Sequence, residues 1–265
     1  MKRVVVVTGA STGMGAEFAK QLAESRKVDE IWIIARRKNM LEQLAKELAT
    51  KTSAAIKIIA EPICGTTAYQ QFSGLFGQDD LVIDTLVNNA GFGTYGPFAE
   101  TPVQPQLNMI DLNVNALTGI CASALPHLKE GSRVINVASL AAYAPLGNFA
   151  VYAATKSFVL SFTTALAAEL ADKGIKVMAV CPGPVATEFA KVASNGARQE
   201  VTGGKPADKV VRHALKKLDK GNKVAIMALK WKLKAFLSRF ISQYSFARHT
   251  YLHEKRPYNH PQQNN

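Results

Sequence analysis

Cysteine is scarce in this 265-residue chain: Cys64, Cys121 and Cys181 are odd in number, far apart and outside any metal-ligand spacing. That excludes a disulfide framework and a zinc site as organising devices and points to a reducing, cytoplasmic compartment. No stretch approaches the ~18 uninterrupted apolar residues of a transmembrane span. Met1-Lys2-Arg3 runs straight into the valines at 4–7, which leaves too few apolar residues for a signal peptide. Internal repeats and low-complexity blocks are absent. With 48% hydrophobic and 20% charged residues and a mean hydropathy of +0.01, the composition is neither disordered nor that of a multi-pass membrane protein. A soluble globular chain, long enough for one large α/β domain, remains.

Acidic residues are the other shortage, with 20 Asp and Glu against 32 Lys and Arg, a net charge of +12. Such an excess raises nucleic acid or an anionic membrane as a partner. Its location narrows the choice. From Lys205 onward there are fourteen basic and three acidic residues, net +11, whereas residues 1–204 are close to neutral at +1. A nucleic-acid-binding domain would carry its charge across the main fold, so nucleic acid is disfavoured and the charge belongs to one terminal segment.

Short β-branched runs at 4–7, 31–35, 55–60, 85–87, 133–137, 176–181 and 223–227 alternate with helical segments at 14–26, 39–49, 104–128, 150–171 and 206–218. Strands separated by helices predict a single Rossmann-type doubly wound parallel sheet with helices on both faces, over residues 1–229. A basic amphipathic segment at 230–256 and a disordered tail at 257–265, rich in Asn, Gln and Pro, follow.

The first βα turn reads Thr8-Gly9-Ala10-Ser11-Thr12-Gly13-Met14-Gly15, after a strand and opening a helix. In that context glycines let the backbone approach a pyrophosphate, which then meets the unpaired N–H groups of the helix N-terminus. Arg36 lies twenty-one residues after Gly15, where an acidic side chain would bind a ribose 2′-hydroxyl and an arginine a 2′-phosphate; it points to NADP(H). Asn88-Asn89-Ala90-Gly91 ends another strand and faces the same cleft. Ser139 ends the next strand, and Tyr152 and Lys156 follow, four apart on a helix and so on one face. An ammonium close to a phenol lowers its pKa, and an ionisable pair on an otherwise apolar helix needs a reason.

These motifs, in this order, with Asn113 in Leu112-Asn113-Val114-Asn115 and with Pro182-Gly183-Pro184-Val185-Ala186-Thr187, resemble the short-chain dehydrogenase/reductase family over roughly residues 2–227. The resemblance implies that Tyr152 is the general acid for ketone reduction or the base for alcohol oxidation, and that Ser139 binds the substrate oxygen. Lys156 would lower the tyrosine pKa and hold the nicotinamide ribose, and Asn113 would position a water linking Lys156 to solvent. It further implies cofactor contacts from Gly9, Ser11, Thr12, Gly13, Met14, Gly15, Arg36, Arg37, Asn89, Ala90, Gly91, Tyr152, Lys156, Pro182, Gly183, Val185 and Thr187. A homodimer or homotetramer through the helices holding Asn113 and Tyr152 is implied too. Pro62 stands where the family usually has an aspartate against adenine.

Phe92, Tyr95, Pro97 and Phe98, with Leu140, Tyr143, Pro145, Leu146 and Phe149, are expected to face a hydrophobic ketone or secondary alcohol, of which Ser139, Tyr152, Phe92, Leu140 and Phe149 form the substrate site. Residues 189–205 carry the glycine signals of a lid. Leu233, Phe236, Leu237, Phe240, Ile241 and Tyr244 fall on one helical stripe, flanked by Lys232, Lys234 and Arg239. The stripe is expected to dock on the protein's own lid or a second subunit, with peripheral membrane contact as the alternative. A catalytically silent NADP-binding or membrane-associated scaffold is the competing function; the intact Asn113, Ser139, Tyr152 and Lys156 speak against it.

Overall fold

The computed structural model describes residues 1–77, 80–199 and 203–259. Strands β1 (Lys2–Thr8), β2 (Glu30–Ile34), β3 (Ala55–Ile59), β4 (Leu81–Asn88), β5 (Arg133–Val137), β6 (Lys176–Val180) and β9 (Val224–Ala225) form one parallel sheet in the order β3-β2-β1-β4-β5-β6-β9. Two short strands, β7 (Val185–Ala186) and β8 (Lys205–Pro206), pair separately. The helices are α1 (Gly13–Ser25), α2 (Lys38–Ala49), α3 (Ala68–Phe76), α4 (Val103–Ile110), α5 (Leu117–Ala124), α6 (Ala150–Glu169), α7 (Phe189–Ala193), α8 (Ala207–Asp219), α9 (Leu229–Leu237) and α10 (Gln243–His253).

Both faces of the sheet are buried, as the β-branched runs require. Along β1, Val4 and Val6 pack toward Trp32, Phe72 and Phe76 on one side, and Val5 and Val7 toward Phe18, Leu22 and Ile33 on the other. The strand order reverses between β1 and β4, and at such a switch point the crevice beyond the strands' carboxyl ends is open to a ligand.

Residues 104–128 are not the single helix expected of them, and α3 has no counterpart among the expected helices. The observed path is α4, a π-helical turn at Asp111–Ala116, α5 and a 3₁₀ turn at Leu125–His127. Helix α6 has the length and apolarity of a membrane span, but it lies against β5 and β6 within the fold.

The C-terminal segment departs furthest from expectation. The stripe at 233–244 is not one helix: α9 passes through a 3₁₀ turn at Ser238–Phe240 into extended backbone at Ile241, and α10 starts afresh with the Ser242 hydroxyl accepting from Ser245 N. Nor does the stripe dock on this chain's own lid, because all six of its apolar side chains are exposed. Of the tail expected to be disordered, residues 257–259 are ordered. Asn259 N donates to Ser194 O (3.0 Å), and Asn195 Nδ2 donates to Asn259 O (2.7 Å), so 257–259 are part of the fold; 260–265 lie outside the described residues.

Candidate active site

The turn after β1 is tied to the end of β4. Thr8 Oγ1 accepts from both Asn89 N and Ala90 N (3.1 Å each), and Asn89 Nδ2 donates to Thr8 O and Gly9 O (3.1 Å each). Gly9 (φ +65°) and Gly13 (φ +58°) take the left-handed conformation that favours glycine. A Cβ on Gly15 would strike Gly9 O. Thr12 caps α1 without a side-chain bond, which leaves the first N–H groups of the helix unpaired by the cap. Gly9, Ser11, Thr12, Gly13 and Met14 line a cleft of about 1080 Å³, and Gly15 supports the turn from beneath.

Arg36 and Arg37 sit on the same wall. Arg37 donates to Ser11 Oγ (3.1 Å) and Thr12 Oγ1 (2.9 Å) and pairs with Glu188 Oε2 (2.9 Å). That guanidinium holds the Glu188 carboxyl below its ordinary value. For Arg36 no carboxylate partner is found among the described residues.

The other end of the cleft gathers the groups scattered between 91 and 156. Ser139 leaves β5 and caps a 3₁₀ turn, its Oγ accepting from Ala141 N (3.1 Å); Tyr152, in the first turn of α6, lies beside it on the cleft wall. Lys156 Nζ donates to Val137 O (2.8 Å). Asn113 sits in the π-helical turn, a distortion often found at functional sites. It does not line the cleft: its Nδ2 donates to Phe92 O (2.9 Å) and Thr155 Oγ1 (3.1 Å), and its Oδ1 accepts from Phe92 N (3.2 Å). Gly91 keeps the gap between these groups, since a Cβ there would lie 2.8 Å from Asn113 Oδ1 and 3.4 Å from Lys156 Nζ.

One expectation is corrected. Lys156 Nζ is 5.8 Å from the centroid of the Tyr152 ring, yet the phenol is not pulled down. Burial pushes the Tyr152 pKa well above its ordinary value, and the Ser139 hydroxyl beside it offsets only part of that. The ammonium loses to the same desolvation: burial brings Lys156 down to about 8.

Phe92, Tyr95, Leu140, Tyr143, Leu146 and Phe149 line the cleft as expected; Pro97, Phe98 and Pro145 do not, and Phe98 is exposed. Pro182, Gly183, Val185, Thr187, Asn89, Ala90 and Gly91 are on the wall, and Phe189 and Val192 approach from α7. Unforeseen contributors come from the C-terminal segment: Trp231, Lys234 and Ala235 from α9, Ser238 from the 3₁₀ turn after it, Phe246 from α10, and Glu254 and Arg256 beyond it.

That segment is clasped to the loop preceding Tyr152. Asn148, in the left-handed conformation (φ +59°) and buried, donates from Nδ2 to the carbonyls of Thr250 (3.3 Å), Tyr251 (3.0 Å) and Glu254 (3.1 Å), capping the end of α10. Arg256 donates to Gly147 O (2.9 Å) and lies over the Phe149 ring, which stacks on Tyr152 at 4.2 Å between centroids. Asn148→Ala removes the donor that faces Tyr251 O and Glu254 O and costs about 2 kcal/mol. The expected readout is a lower thermal midpoint and faster hydrogen exchange in 243–259; Asn148→Gly, which keeps the backbone conformation, isolates the hydrogen-bond share.

A nicotinamide dinucleotide fits these residues: the glycine cradle admits no Cβ at Gly15, a helix N-terminus opens onto the cleft, and the space continues without interruption to Ser139 and Tyr152. The model of the family described as short chain dehydrogenase matches residues 3–198. An NADP-dependent 3-hydroxy acid dehydrogenase of Schizosaccharomyces pombe is 31% identical over 202 residues, 75% of this chain and 77% of that protein. A solved short-chain dehydrogenase from Sphingobium yanoikuyae in complex with NADPH is similar with a TM-score of 0.75 and 27% identity, covering 91% of this chain and 97% of that one. The bulky-bulky ketone specific alcohol dehydrogenase from Comamonas testosteroni follows at 0.73 and 26%, covering 92% and 96%. Because the matched stretch runs from β1 past α7 and carries the whole floor of the cleft, the chain belongs to the short-chain dehydrogenase/reductase family of oxidoreductases.

Proposed function

We propose that this protein is an NADP(H)-dependent oxidoreductase that interconverts a hydrophobic ketone and a secondary alcohol. The observation that carries the reading is a single cleft with two unlike ends: two arginines beside a glycine turn at one, and Ser139 and Tyr152 side by side within an aromatic wall at the other. The cofactor, when bound, supplies or accepts the hydride. Everything else falls to the chain.

Ser139 and Tyr152 present two hydroxyls to one carbonyl oxygen, and a phenol kept protonated by burial is the proton donor for reduction. In the reverse direction Tyr152 must give up its proton first, so the pair with Lys156 sets the pH at which oxidation gains speed. Asn113 holds the π-helical turn against Phe92 and Thr155, behind Lys156, and positions that lysine's surroundings. At the other end Arg36, with Arg37 alongside, is the group for a 2′-phosphate.

The substrate end favours apolar ligands. Arg256 there is answered by Glu254 Oε2 at 2.9 Å, Lys234 lies over the Trp231 ring, and Phe92, Leu140 and Phe149 line the same wall. Val103, Leu107 and Ile110 on α4 and Phe158 on α6 are exposed, which supports a homodimer or homotetramer through these helices. The test is a panel of steroid, fatty and aromatic ketones with NADPH oxidation as the readout. Turnover of bulky ketones, with short anionic aldehydes much poorer, is the expected result; no turnover of any ketone sinks the proposal.

A further inference from the structure

We infer that the face formed by α9 and the start of α10 is a docking surface for an anionic lipid bilayer. Leu233, Phe236, Leu237, Phe240, Ile241 and Tyr244 all point outward, with Phe240 at 73% and Tyr244 at 78% exposure, and Leu229 extends the patch at 80%. Scattered exposed apolar residues are ordinary; so many on two consecutive short elements are not.

The opposite face of α9 is already committed. Ala235 is buried, Trp231, Lys234 and Ser238 look into the cleft, and Ser238 Oγ donates to Tyr143 O (3.1 Å). The helix is therefore anchored from within, and its apolar side cannot be tucked under the chain without tearing it from the cleft wall.

Charge selects the occupant. Between Lys220 and His253 the sequence has seven Lys and Arg and no Asp or Glu. Lys230, Lys232, Arg239 and Arg248 are exposed around the patch. A second copy of the same face would set these cations against one another without a carboxylate to answer them. An anionic headgroup layer answers all of them, while Phe and Leu side chains enter the acyl boundary and Tyr244 sits at the level of the headgroups. Seated this way, α9 separates the lipid surface from the cleft, and a lipophilic ligand would have a short route between them. This last consequence rests on the proposed substrate class; the docking itself does not.

The experiment is co-sedimentation of the full-length protein with vesicles of phosphatidylcholine alone and of phosphatidylcholine mixed with phosphatidylglycerol. Binding to the mixed vesicles is expected, and it weakens as salt shortens the ~10 Å screening length of 0.1 M solution. Phe236→Ser/Phe240→Ser lowers the partition by at least about tenfold. Lys232→Gln/Arg239→Gln lowers it by about fivefold for each charge removed. These side chains are exposed, so circular dichroism and the thermal midpoint are expected to match the parent. No binding to the mixed vesicles, equal binding to both kinds, or undiminished binding by the phenylalanine variant overturns the inference. So does a lipid-free dimer that the same variant converts to monomer, which would assign the face to a second copy.

Discussion

Tyr152→Phe lowers the turnover number for carbonyl reduction by about 10²–10⁴-fold, the usual worth of a positioned proton donor. The ring stays stacked on Phe149, and Ser139 Oγ still accepts from Ala141 N, so no buried group is orphaned. Loss of the phenol hydroxyl itself costs at most about 1 kcal/mol of stability. The variant is therefore expected to fold and to bind NADPH, as seen by enhancement of the cofactor's fluorescence, while steady-state turnover collapses. Because burial holds the phenol up, reduction by the parent should be insensitive to pH through the neutral range, and alcohol oxidation should accelerate as pH rises. Substantial residual turnover in Tyr152→Phe would remove the proton-transfer role from this residue. A silent scaffold of the same fold would show no turnover in the parent at all.

Arg36→Asp should reverse the cofactor preference, with the NADPH-to-NADH ratio of kcat/KM falling by about 10²-fold through loss of a charge-assisted bond and gain of repulsion. Arg36 is the better target of the two arginines. Arg37 is held by Glu188, Ser11 and Thr12, so part of its charge is already answered within the chain, and its removal also frees a carboxylate beside the phosphate end. Exposure of the site to solvent and salt limits the effect to binding of the cofactor, and the proton-transfer groups at the far end of the cleft are untouched. An unchanged ratio would show that the second basic residue, or the turn itself, reads the 2′ position.

Residues 1–229 were largely legible because their signals are local. The alternation of β-branched runs and helical segments follows from side-chain periodicity, and a glycine turn between a strand and a helix has few other uses. Helix α3 left a readable trace in Ala68, Phe72 and Phe76, spaced by four on the buried face, but Gly74 and the short length concealed it. The π-helical turn left none, because one extra residue per turn in Leu112-Asn113-Val114-Asn115 does not change which residues are apolar.

What the sequence by itself determined was the alternation of strands and helices along most of the chain and the glycine turn after the first strand, both of which depend on neighbours within a few residues. Only the tertiary structure decided that Tyr152 is pushed up while Lys156 is pushed down. Desolvation sums everything that packs around a group in the folded chain, and spacing along one helix cannot report it. It likewise decided which way the stripe at 233–244 faces. Helical spacing defines a stripe but not its partner, and here Ala235, Ser238 and the Asn148 clasp took the inner positions and turned the apolar side chains outward.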